Sequence, residues 1–278
     1  MGLKRDKSGK LHIESPLMGE SLMDKNLLAQ TGTGPVFKIM PNLVVVKIGG
    51  QSIIDRGRKA LLPILDELIA IRQHNEVLIT TGGGTRARHV YAIATELGMP
   101  AGVLASLASS ISEQNALMVA MVLGPSGGIK IGHDDLTKLS HYLRLGCLPV
   151  THAMPPYGLF ETPPELGRIP PHRTDAGVFL LAEVLGARKC ILIKDEQGVY
   201  TADPKKDQKA RFIGDKIEVN ELLSLNLNDL PVERSMLECL KNSINMHEFT
   251  IVNGLVSGNI SRAMAGEKTG TTIYKACS

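Results

Sequence analysis

The sequence lacks the features that mark membrane, secreted and nucleic-acid-binding proteins. No apolar run in its 278 residues approaches the ~20 that a membrane-spanning helix needs. The first residues, MGLKRDKSGKLHIE, are charged and have no apolar core of a signal peptide. Basic runs and basic patches interleaved with aromatic residues are absent, and the formal charge is only +3. We therefore expect a cytoplasmic protein that binds neither a membrane nor nucleic acid.

Cysteine pairs and the usual phosphate-loop signature are also missing. The four cysteines (Cys147, Cys190, Cys239 and Cys277) form no CxxC pair, and the sequence GxxxxGK[ST] does not occur. The sequence therefore does not support a structural zinc site, a disulfide framework or a Walker-type nucleotide site. Cys147 and Cys190 lie among apolar residues, where we expect buried free thiols.

What is present is the composition of a globular protein. Hydrophobic residues make up 43% of the chain and charged residues 21%, and 278 residues can bury one large core. Residues 1–38 are polar and show no lasting period, so we interpret them as an N-terminal extension that is ordered against a neighbouring subunit. Residues 39–278 form the expected domain, either as one unit or as two closely fused lobes.

Strand and helix patterns alternate from residue 43 onward. Leu43–Ile48 is a continuous β-branched run, typical of a strand buried on both faces, and Gly49-Gly50 ends it. The pattern recurs at Glu76–Thr81, which Gly82–Gly84 follows. A helix comes after each glycine turn, and the two apolar faces are Leu61, Leu62, Leu65, Leu68 and Ile69, and Val90, Ile93, Ala94 and Leu97.

The alternation continues to the end of the chain. Short strand candidates lie at 101–104, 129–131, 148–151, 190–194, 249–252 and 271–274. Helix candidates lie at about 110–123, 134–145, 174–186, 233–244 and 259–265. This order predicts an α/β fold with a largely parallel sheet that is covered on both faces. Ligands of such sheets bind beyond the carboxyl ends of the strands, where the glycine turns lie.

One segment interrupts the alternation. Residues 153–173 carry six prolines and two glycines in 21 positions. Proline is unfavourable in a helix interior and in a central strand, so we expect a long, stiff loop. Loops of this length in compact domains are usually functional or disordered, and the aromatic and aliphatic residues of this one favour an ordered loop.

The first glycine turn suggests a phosphate site. Gly49 and Gly50 follow a buried strand, so backbone N–H groups can converge on an anion at the start of the next helix. Lys47 would add a positive charge for a phosphate oxygen. A tight turn beside a lysine whose stem covers apolar surface is the alternative.

The second glycine turn has the same design. Gly82–Gly84 precedes Arg86 and Arg88, which fall in the first turn of the following helix. Cations oppose the helix dipole at that end, and an oxyanion bound in the turn would relieve the conflict. A surface salt bridge is the alternative.

Two further strings follow in the second half of the chain. Thr174 or Asp175 suits the amino cap of the helix that starts there. The string GVYTADP at 198–204 comes after a strand candidate. Its glycine and its Asp-Pro pair predict a turn-rich ribbon that can surround a nucleobase and a ribose.

Together these motifs resemble the amino acid kinase family. Lys47-x-Gly49-Gly50, GGGTRARH, the helix opened by Thr174-Asp175 and GVYTADP occur in the order seen in that family, and the uridylate kinase branch is the most similar. The ending VNGLVSGNISRAMAGEKTGTTI is similar too, so the resemblance spans about residues 43–275. It implies a three-layer αβα sandwich that binds ATP.

The resemblance also implies roles for particular residues. Lys47 would stabilise the transferring phosphoryl group, and Asp175 would orient the cationic groups around it. The glycines of the second turn would line the acceptor side, and residues 194–204 would hold ATP. The nucleotide contacts that follow from this comparison are Lys47, Gly49, Gly50, Gly82, Gly83, Gly84, Arg86, Lys194, Asp195, Gly198, Tyr200, Asp203 and Pro204.

The chain departs from uridylate kinases at two places. Glu196-Gln197-Gly198 stands where those kinases typically have Val-Asp-Gly. Glu196 could therefore ligate Mg²⁺ together with phosphate oxygens, and a solvated loop glutamate is the alternative. The loop 153–173 stands where those kinases keep the pocket for a nucleoside monophosphate, so we do not expect the usual acceptor.

That loop resembles the molybdenum storage proteins. PPY and then IPPHRTDAGVFLLAE, with VVKIGGQSIIDRG and TRARHVYAIA, fit this group. The resemblance implies a homo- or hetero-oligomer, a hexameric cage with a homologous second subunit, that takes up molybdate or tungstate and uses ATP to deposit polyoxometalate clusters. One chain type of the group has a histidine-rich stretch after PPY; this chain lacks it and so resembles the ATP-binding type.

Two histidines bracket the loop. His152 and His172 are candidate oxometalate ligands, because a protonated imidazole binds oxoanions, and hydrogen-bonded structural histidines are the alternative. Three functions therefore remain open. They are ATP-dependent storage of molybdate or tungstate, a uridylate kinase-like small-molecule kinase, and a non-catalytic nucleotide-binding subunit.

Overall fold

The chain forms two compact units, Met1–Phe37 and Lys38–Ser278. A computed structural model of the protein describes residues 3–9, 11–13, 22–30, 32 and 34–276. In the first unit, β1 (Leu3–Arg5) and β2 (Leu11–Ile13) form an antiparallel pair, and α1 spans Lys25–Gln30. The residue pattern of this segment predicts none of these three elements.

The second unit alternates strands and helices. In chain order they are β3 (Leu43–Ile48), α2 (Arg58–Ile71), β4 (Glu76–Thr81), α3 (Gly84–Glu96), α4 (Ala101–Val122), β5 (Gly128–Lys130), α5 (Leu139–Arg144), β6 (Leu148–His152), α6 (Thr174–Leu185), β7 (Lys189–Lys194), β8 (Lys216–Glu218), α7 (Val219–Ser224), α8 (Arg234–Asn242), β9 (Glu248–Asn253), α9 (Asn259–Ala265) and β10 (Thr271–Tyr274). No helix in the described part of the chain has the length and apolarity needed to cross a bilayer.

Eight strands form one sheet at the centre of this unit. Their order is β5-β6-β4-β3-β7-β9-β10-β8, and every neighbouring pair is parallel except β9 and β10. Helices cover both faces, so β3 at the centre is buried along its whole length. The predicted fold class, an α/β three-layer αβα sandwich with a largely parallel sheet, is confirmed.

The side chains of β3 alternate between the two cores. Leu43 and Val45 pack in the core that contains residues of α6 and α8. Val44, Val46 and Ile48 pack in the core that contains residues of α2 and α9. Full burial of each such side chain stabilises the fold by roughly 1.5–3 kcal/mol. A strand buried on both faces has no polar side, which explains the unbroken apolar run LVVV that precedes Lys47.

The strand predicted at 101–104 is wrong. These residues are the first turn of α4, whose amino cap is Pro100. Ala101, Leu104 and Ala105 are buried on one helical face, and that face continues into the rest of α4. A short apolar run followed by more alanine and leucine fits a 3.6-residue period as well as a strand, and here the longer period decides.

Two other predictions need adjustment, and two short elements were not predicted. The buried face of α3 is Ala87, Tyr91 and Ala94, whereas Ile93 and Leu97 are 46% and 66% exposed. The predicted helix 134–145 is a 3₁₀ helix (His133–Lys138) followed by α5. The strand β8 and the helix α7 do not follow from the residue pattern, because three and six residues are too few to show a period.

The proline-rich loop 153–173 is ordered against two helices. A Cβ atom on Gly102 of α4 would lie 2.0 Å from the carbonyl oxygen of Leu159. A Cβ atom on Gly177 of α6 would lie 1.9 Å from the carbonyl oxygen of Ala153. Both helices therefore need glycine where the loop approaches them, because no side chain fits there. The loop itself contains a short 3₁₀ helix, Gly158–Phe160.

The described cysteines are free thiols. Cys190 is buried, as predicted, and burial raises the pKa of its thiol to about 12. Cys147 is only half-buried, because it lies in the turn between α5 and β6. Cys239 is half-buried as well, and Cys277 lies outside the described residues.

Candidate functional site

A cavity of about 810 Å³ lies beyond the carboxyl ends of β3, β4 and β7. Its walls come from the two glycine turns, the start of α6, the segment after β7 and the loop before α8. Most of the residues singled out from the sequence line this cavity, namely Lys47, Gly49, Gly50, Gly82, Gly83, Gly84, Asp175, Lys194, Asp195, Glu196, Gly198, Tyr200, Asp203 and Pro204. Motifs that are up to about 150 residues apart in the chain thus meet where a parallel sheet binds its ligands.

Two lysines and one aspartate form the charged centre of the cavity. Lys47 lies near the end of β3 and Lys194 at the end of the neighbouring strand β7. The ammonium group of Lys47 donates a hydrogen bond to Asp175 Oδ1. Lys194 Nζ lies 3.1 Å from Asp175 Oδ1 and 3.3 Å from Oδ2. One carboxylate therefore holds two cations side by side, and we call Lys47, Asp175 and Lys194 the charged trio.

Burial and charge together set the protonation of this trio. Burial lowers the pKa of Lys47, because an ammonium ion loses its hydration, and the Asp175 carboxylate opposes part of that shift. Burial by itself would raise the pKa of Asp175. The charges of Lys194 and Lys47 outweigh this effect, so the pKa of Asp175 lies well below its usual range. Asp175 is therefore ionised at neutral pH.

The start of α6 is capped from outside the helix. Neither Thr174 nor Asp175 acts as the cap that the sequence suggested, because Arg173 holds the cap position and makes no side-chain cap bond. The carboxylate of Glu233 instead accepts hydrogen bonds from the backbone N–H groups of Arg173 (2.9 Å), Asp175 (3.1 Å) and Ala176 (3.1 Å). The Asp175 side chain is thereby left to the two lysines.

The two glycine turns pack backbone against backbone. A Cβ atom on Gly50 would lie 2.3 Å from the backbone nitrogen of Gly84, so only glycine fits at position 50. Gly84 has φ +69°, a conformation that favours glycine. At the start of α3, the backbone N–H of Thr85 donates to Asp55 Oδ2 at 2.6 Å. A side chain of the protein therefore already bonds this helix start, where the sequence predicted an oxyanion.

The two arginines after the second turn point to different places. Arg86 donates to Asn115 Oδ1 and, at 3.3 Å, to Gln114 Oε1 on α4, and it is not among the residues that line the cavity. Asn115 Nδ2 in turn donates to the carbonyl oxygen of Gly82 at 2.6 Å, so Arg86 supports the turn through Asn115. Arg88 does line the cavity.

The predicted nucleotide ribbon is fixed to the sheet. A Cβ atom on Gly198 would lie 2.1 Å from Thr271 Oγ1 of β10, and that oxygen accepts a hydrogen bond from the Val199 N–H at 3.1 Å. Tyr200 pairs with Phe212 in an isolated antiparallel bridge, and their rings lie 5.5 Å apart. The ribbon wall of the cavity is therefore held in place before any ligand binds.

Two acidic residues follow β7 in the cavity wall. Asp195 Oδ2 binds Arg56 Nη2 and Lys205 Nζ, each at 2.6 Å, and Lys205 Nζ also lies 2.9 Å from Glu196 Oε1. Within the described ranges, no group of three or more His, Cys, Asp or Glu residues is arranged to hold a metal ion. Two adjacent carboxylates nevertheless suit Mg²⁺ that arrives with a nucleotide, because this ion takes one or two carboxylates together with phosphate oxygens.

His152 forms a pair with His133 and is not among the residues that line the cavity. Their rings stack with centroids 4.0 Å apart, and Ser109 Oγ lies 3.3 Å from His152 Nδ1. Burial, with a smaller effect of His133, lowers the pKa of His152 to about 4. His152 is therefore neutral at pH 7 and would bind an oxometalate as a neutral ligand, not as the cation expected from the sequence.

His172 has a different setting at the other end of the loop. Its Nδ1 lies 2.7 Å from Glu161 Oε1, which also accepts a hydrogen bond from the His172 backbone N–H at 3.2 Å. The Glu161 side chain is almost fully buried, whereas His172 is half-exposed. The loop therefore holds this imidazole through one of its own residues.

The residue pattern does not reveal the roles of Glu233 and Asp55. Glu233 is 58 positions from Asp175, and Asp55 is 30 positions from Thr85. Contacts over such distances leave no local period. Glu233 also occupies the cap position of α8, but its side chain makes no bond to that helix. Its position in the sequence therefore suggests a cap for α8, whereas its side chain caps α6.

Comparison with known proteins shows which family and which relatives this chain is similar to. The sequence profile of the amino acid kinase family matches residues 42–249. The molybdenum storage protein subunit beta of Azotobacter vinelandii is 46% identical over 261 residues, which are 94% of this chain and 96% of that protein. The uridylate kinase of Methanobrevibacter smithii is 26% identical over 238 residues, with 83% of this chain and 98% of that protein covered.

Solved structures agree with the fold. The uridylate kinase of Archaeoglobus fulgidus superposes with a TM-score of 0.63 at 24% identity, over 83% of this chain and 99% of that one. The UMP kinase of Bacillus anthracis superposes with a TM-score of 0.65 at 19% identity, over 86% and 98% of the two chains. At such identities the structures establish the architecture alone. With the profile match and the 46% identical relative, they show that the chain belongs to the amino acid kinase family.

Proposed function

We propose that this chain is a subunit of an oligomeric store for molybdate or tungstate. ATP is hydrolysed in the cavity to drive the deposition of polyoxometalate clusters inside the assembly. The observation that carries this proposal is the similarity, over nearly the whole chain, to the molybdenum storage protein subunit beta. The uridylate kinases share the fold at much lower identity. The loop 153–173 does not support a uridylate kinase function, because it stands where those kinases keep the pocket for a nucleoside monophosphate.

The charged trio and the glycine turns support ATP as the ligand of the cavity. Lys47 and Lys194 offer two ammonium groups to phosphate oxygens, and Asp175 fixes the distance between them. Phosphoryl transfer needs little beyond such positioning and charge. Mg²⁺ bound by Asp195 and Glu196 would neutralise part of the phosphate charge. The neighbouring Lys205 then has to share these carboxylates with the ion.

His152 and His172 remain the proposed contacts for the stored oxometalate. The low pKa of His152 leaves a free imidazole lone pair at neutral pH, which suits direct coordination to a metal centre. His172, held by Glu161, offers its second ring nitrogen. Replacement of both histidines by alanine should reduce bound metal and spare ATP binding; unchanged metal loading would remove them from the proposal.

The proposed assembly is a cytoplasmic hexamer, built from this chain alone or with a homologous second subunit. The decisive experiment is elemental analysis of the native protein after gel filtration, from cells grown with molybdate. Many molybdenum or tungsten atoms per chain, and ATP hydrolysis that molybdate stimulates, support the proposal. Metal-free protein from such cells contradicts it.

Two alternatives have distinct outcomes in the same preparation. A uridylate kinase-like enzyme, which the shared architecture favours, transfers phosphate rapidly from ATP to UMP. A non-catalytic nucleotide-binding subunit binds ATP tightly with negligible turnover until its partner chain is added. Assays with UMP, with molybdate, and with and without the partner chain therefore separate the three functions.

A further inference from the structure

Among the described residues, Glu233 is the acidic residue that bonds the backbone at the start of α6. Glu233 is only 9% exposed, and its carboxylate accepts hydrogen bonds from three backbone N–H groups at 2.9–3.1 Å. Arg173 Nε adds an ion-pair contact at 3.6 Å. Glu233 also lines the cavity that contains the charged trio. A buried anion of the protein thus lies beside the proposed phosphate site.

Glu233 accepts the hydrogen bonds that a bound oxyanion would accept at the start of a helix. N–H groups at a helix start and the positive end of the helix dipole attract anions. In α7, by comparison, Glu218 caps its own helix from the adjacent position, through Asn220 and Glu221. Glu233 lies 58 positions after Asp175 in the chain, and its side chain makes no cap bond to its own helix α8. Its carboxylate instead lies in the cavity wall and occupies the position at the start of α6 where an anion would bind.

We infer that Glu233 determines which acceptors the cavity admits. Its carboxylate occupies the anion position at the start of α6, beside Asp175, and so excludes ligands that carry a phosphate group there. The excluded class includes inorganic phosphate and nucleoside monophosphates, which would have to displace a buried, hydrogen-bonded negative charge. This deepens the proposed function and rests on it, because there the cavity binds ATP and the second glycine turn lines the acceptor side. The start of α6 adjoins that turn, since a Cβ atom on Gly82 would lie 3.4 Å from Thr174 Oγ1.

The test is a titration with inorganic phosphate, without ATP or molybdate. Glu233→Ala removes both the charge and the side chain. Glu233→Gln keeps the size but removes the charge, and its NH₂ group replaces one of the two oxygens that accept from the backbone. Calorimetry should show phosphate binding at least tenfold tighter in both variants than in the wild-type protein. Unfolding midpoints confirm that each variant is folded, and if the alanine variant does not fold, the glutamine variant carries the test.

Asp229→Asn is the matched control. Asp229 also lines the cavity and pairs with Lys206 at 3.5 Å, but no hydrogen bond joins it to α6. Its variant should bind phosphate within threefold of the wild type. Equal phosphate binding by wild type and folded Glu233 variants, or an equal gain in Asp229→Asn, overturns the inference. Because the titration contains no ATP, a negative result in it would not contradict the storage proposal. Conversely, the finding of metal-free native protein by elemental analysis would not change the phosphate affinities measured here.

Discussion

The ammonium group of Lys47 donates a hydrogen bond to the carboxylate of Asp175, and both residues are nearly inaccessible to water, at 3% and 6% exposure. Asp175 is the carboxylate that Lys47 contacts, and the charge of Glu233 has a smaller effect on the same ammonium group, whereas Asp175 has a second cation in Lys194. The pair is therefore asymmetric. Loss of the aspartate leaves two lysines without the carboxylate that they both contact, and loss of Lys47 leaves a carboxylate that is still paired.

This asymmetry predicts different losses of stability. Asp175→Ala should lower the free energy of unfolding by about 3–5 kcal/mol, because it strands a buried cation. Lys47→Met should lower it by clearly less, since Asp175 keeps Lys194 and the methionine fills the space. Chemical denaturation of both variants measures the difference. Equal losses would show that the two lysines do not share the carboxylate as the structure indicates.

Lys47 should matter far more for ATP turnover than for the fold. If Lys47 contacts the phosphates, Lys47→Ala should reduce kcat for ATP hydrolysis by about 10²–10³-fold, the usual loss for one preorganised charge contact. Gel filtration should show an unchanged assembly. Lys59→Ala, an exposed lysine on α2, is the control and should keep full activity. A fully active Lys47→Ala variant would rule out this role.

The packing of the two glycine turns predicts a sharp effect at position 50. Gly50→Ala places a methyl group 2.3 Å from the Gly84 nitrogen, so the turns must separate. We expect a loss of roughly 1–3 kcal/mol in unfolding free energy and a weaker Kd for ATP. Gly124→Ala is the control, because nothing lies within 4 Å of its Cβ position. Similar results for the two variants would contradict the close approach.

The histidine pair predicts a pH dependence of stability. The pKa of His152 is 6.5 when unperturbed and about 4 in the folded protein. Between these values the unfolded chain binds the extra proton, so stability falls as the pH is lowered from 6.5 to 4, by up to about 3 kcal/mol. His152→Gln should remove the part of this dependence that comes from His152, and His133, whose pKa is also lowered by burial, should retain its own part. His89→Gln, on the exposed side of α3, should retain it, and a pH profile unchanged by His152→Gln would disprove the assignment.

Features that depend on neighbours in the sequence are the ones that could be predicted. The run Leu43–Ile48 and the glycines after it predict both a central strand and a turn at the ligand edge, because burial on two faces and tight turns leave local signatures. The sheet order, which places β3 beside β7, brings Lys47 and Lys194 together, and only the family resemblance assigned both lysines to one site. The family resemblance supplied the pairing with Asp175, which no spacing indicates.

Features that depend on contacts across the fold could not be predicted. The start of α4 at 101–104 has the composition of a strand, and it is helical because its buried face continues the period of the whole helix and packs against α3 and the loop. Glu233 carries the signal of a cap for α8, whereas its side chain bonds α6. Arg86 follows the glycine turn as a phosphate ligand would, but Asn115 receives its guanidinium group.

The close contact between Gly177 and the carbonyl oxygen of Ala153 has a consequence for how this protein can diverge. The loop 153–173 leaves the domain at this contact and packs on it again where Leu159 meets Gly102, so changes elsewhere in the loop can leave Asp175 in register with the lysines. The loop and the charged trio can then change independently of each other. Related chains with a different loop sequence but both glycine contacts intact should keep the same charged trio.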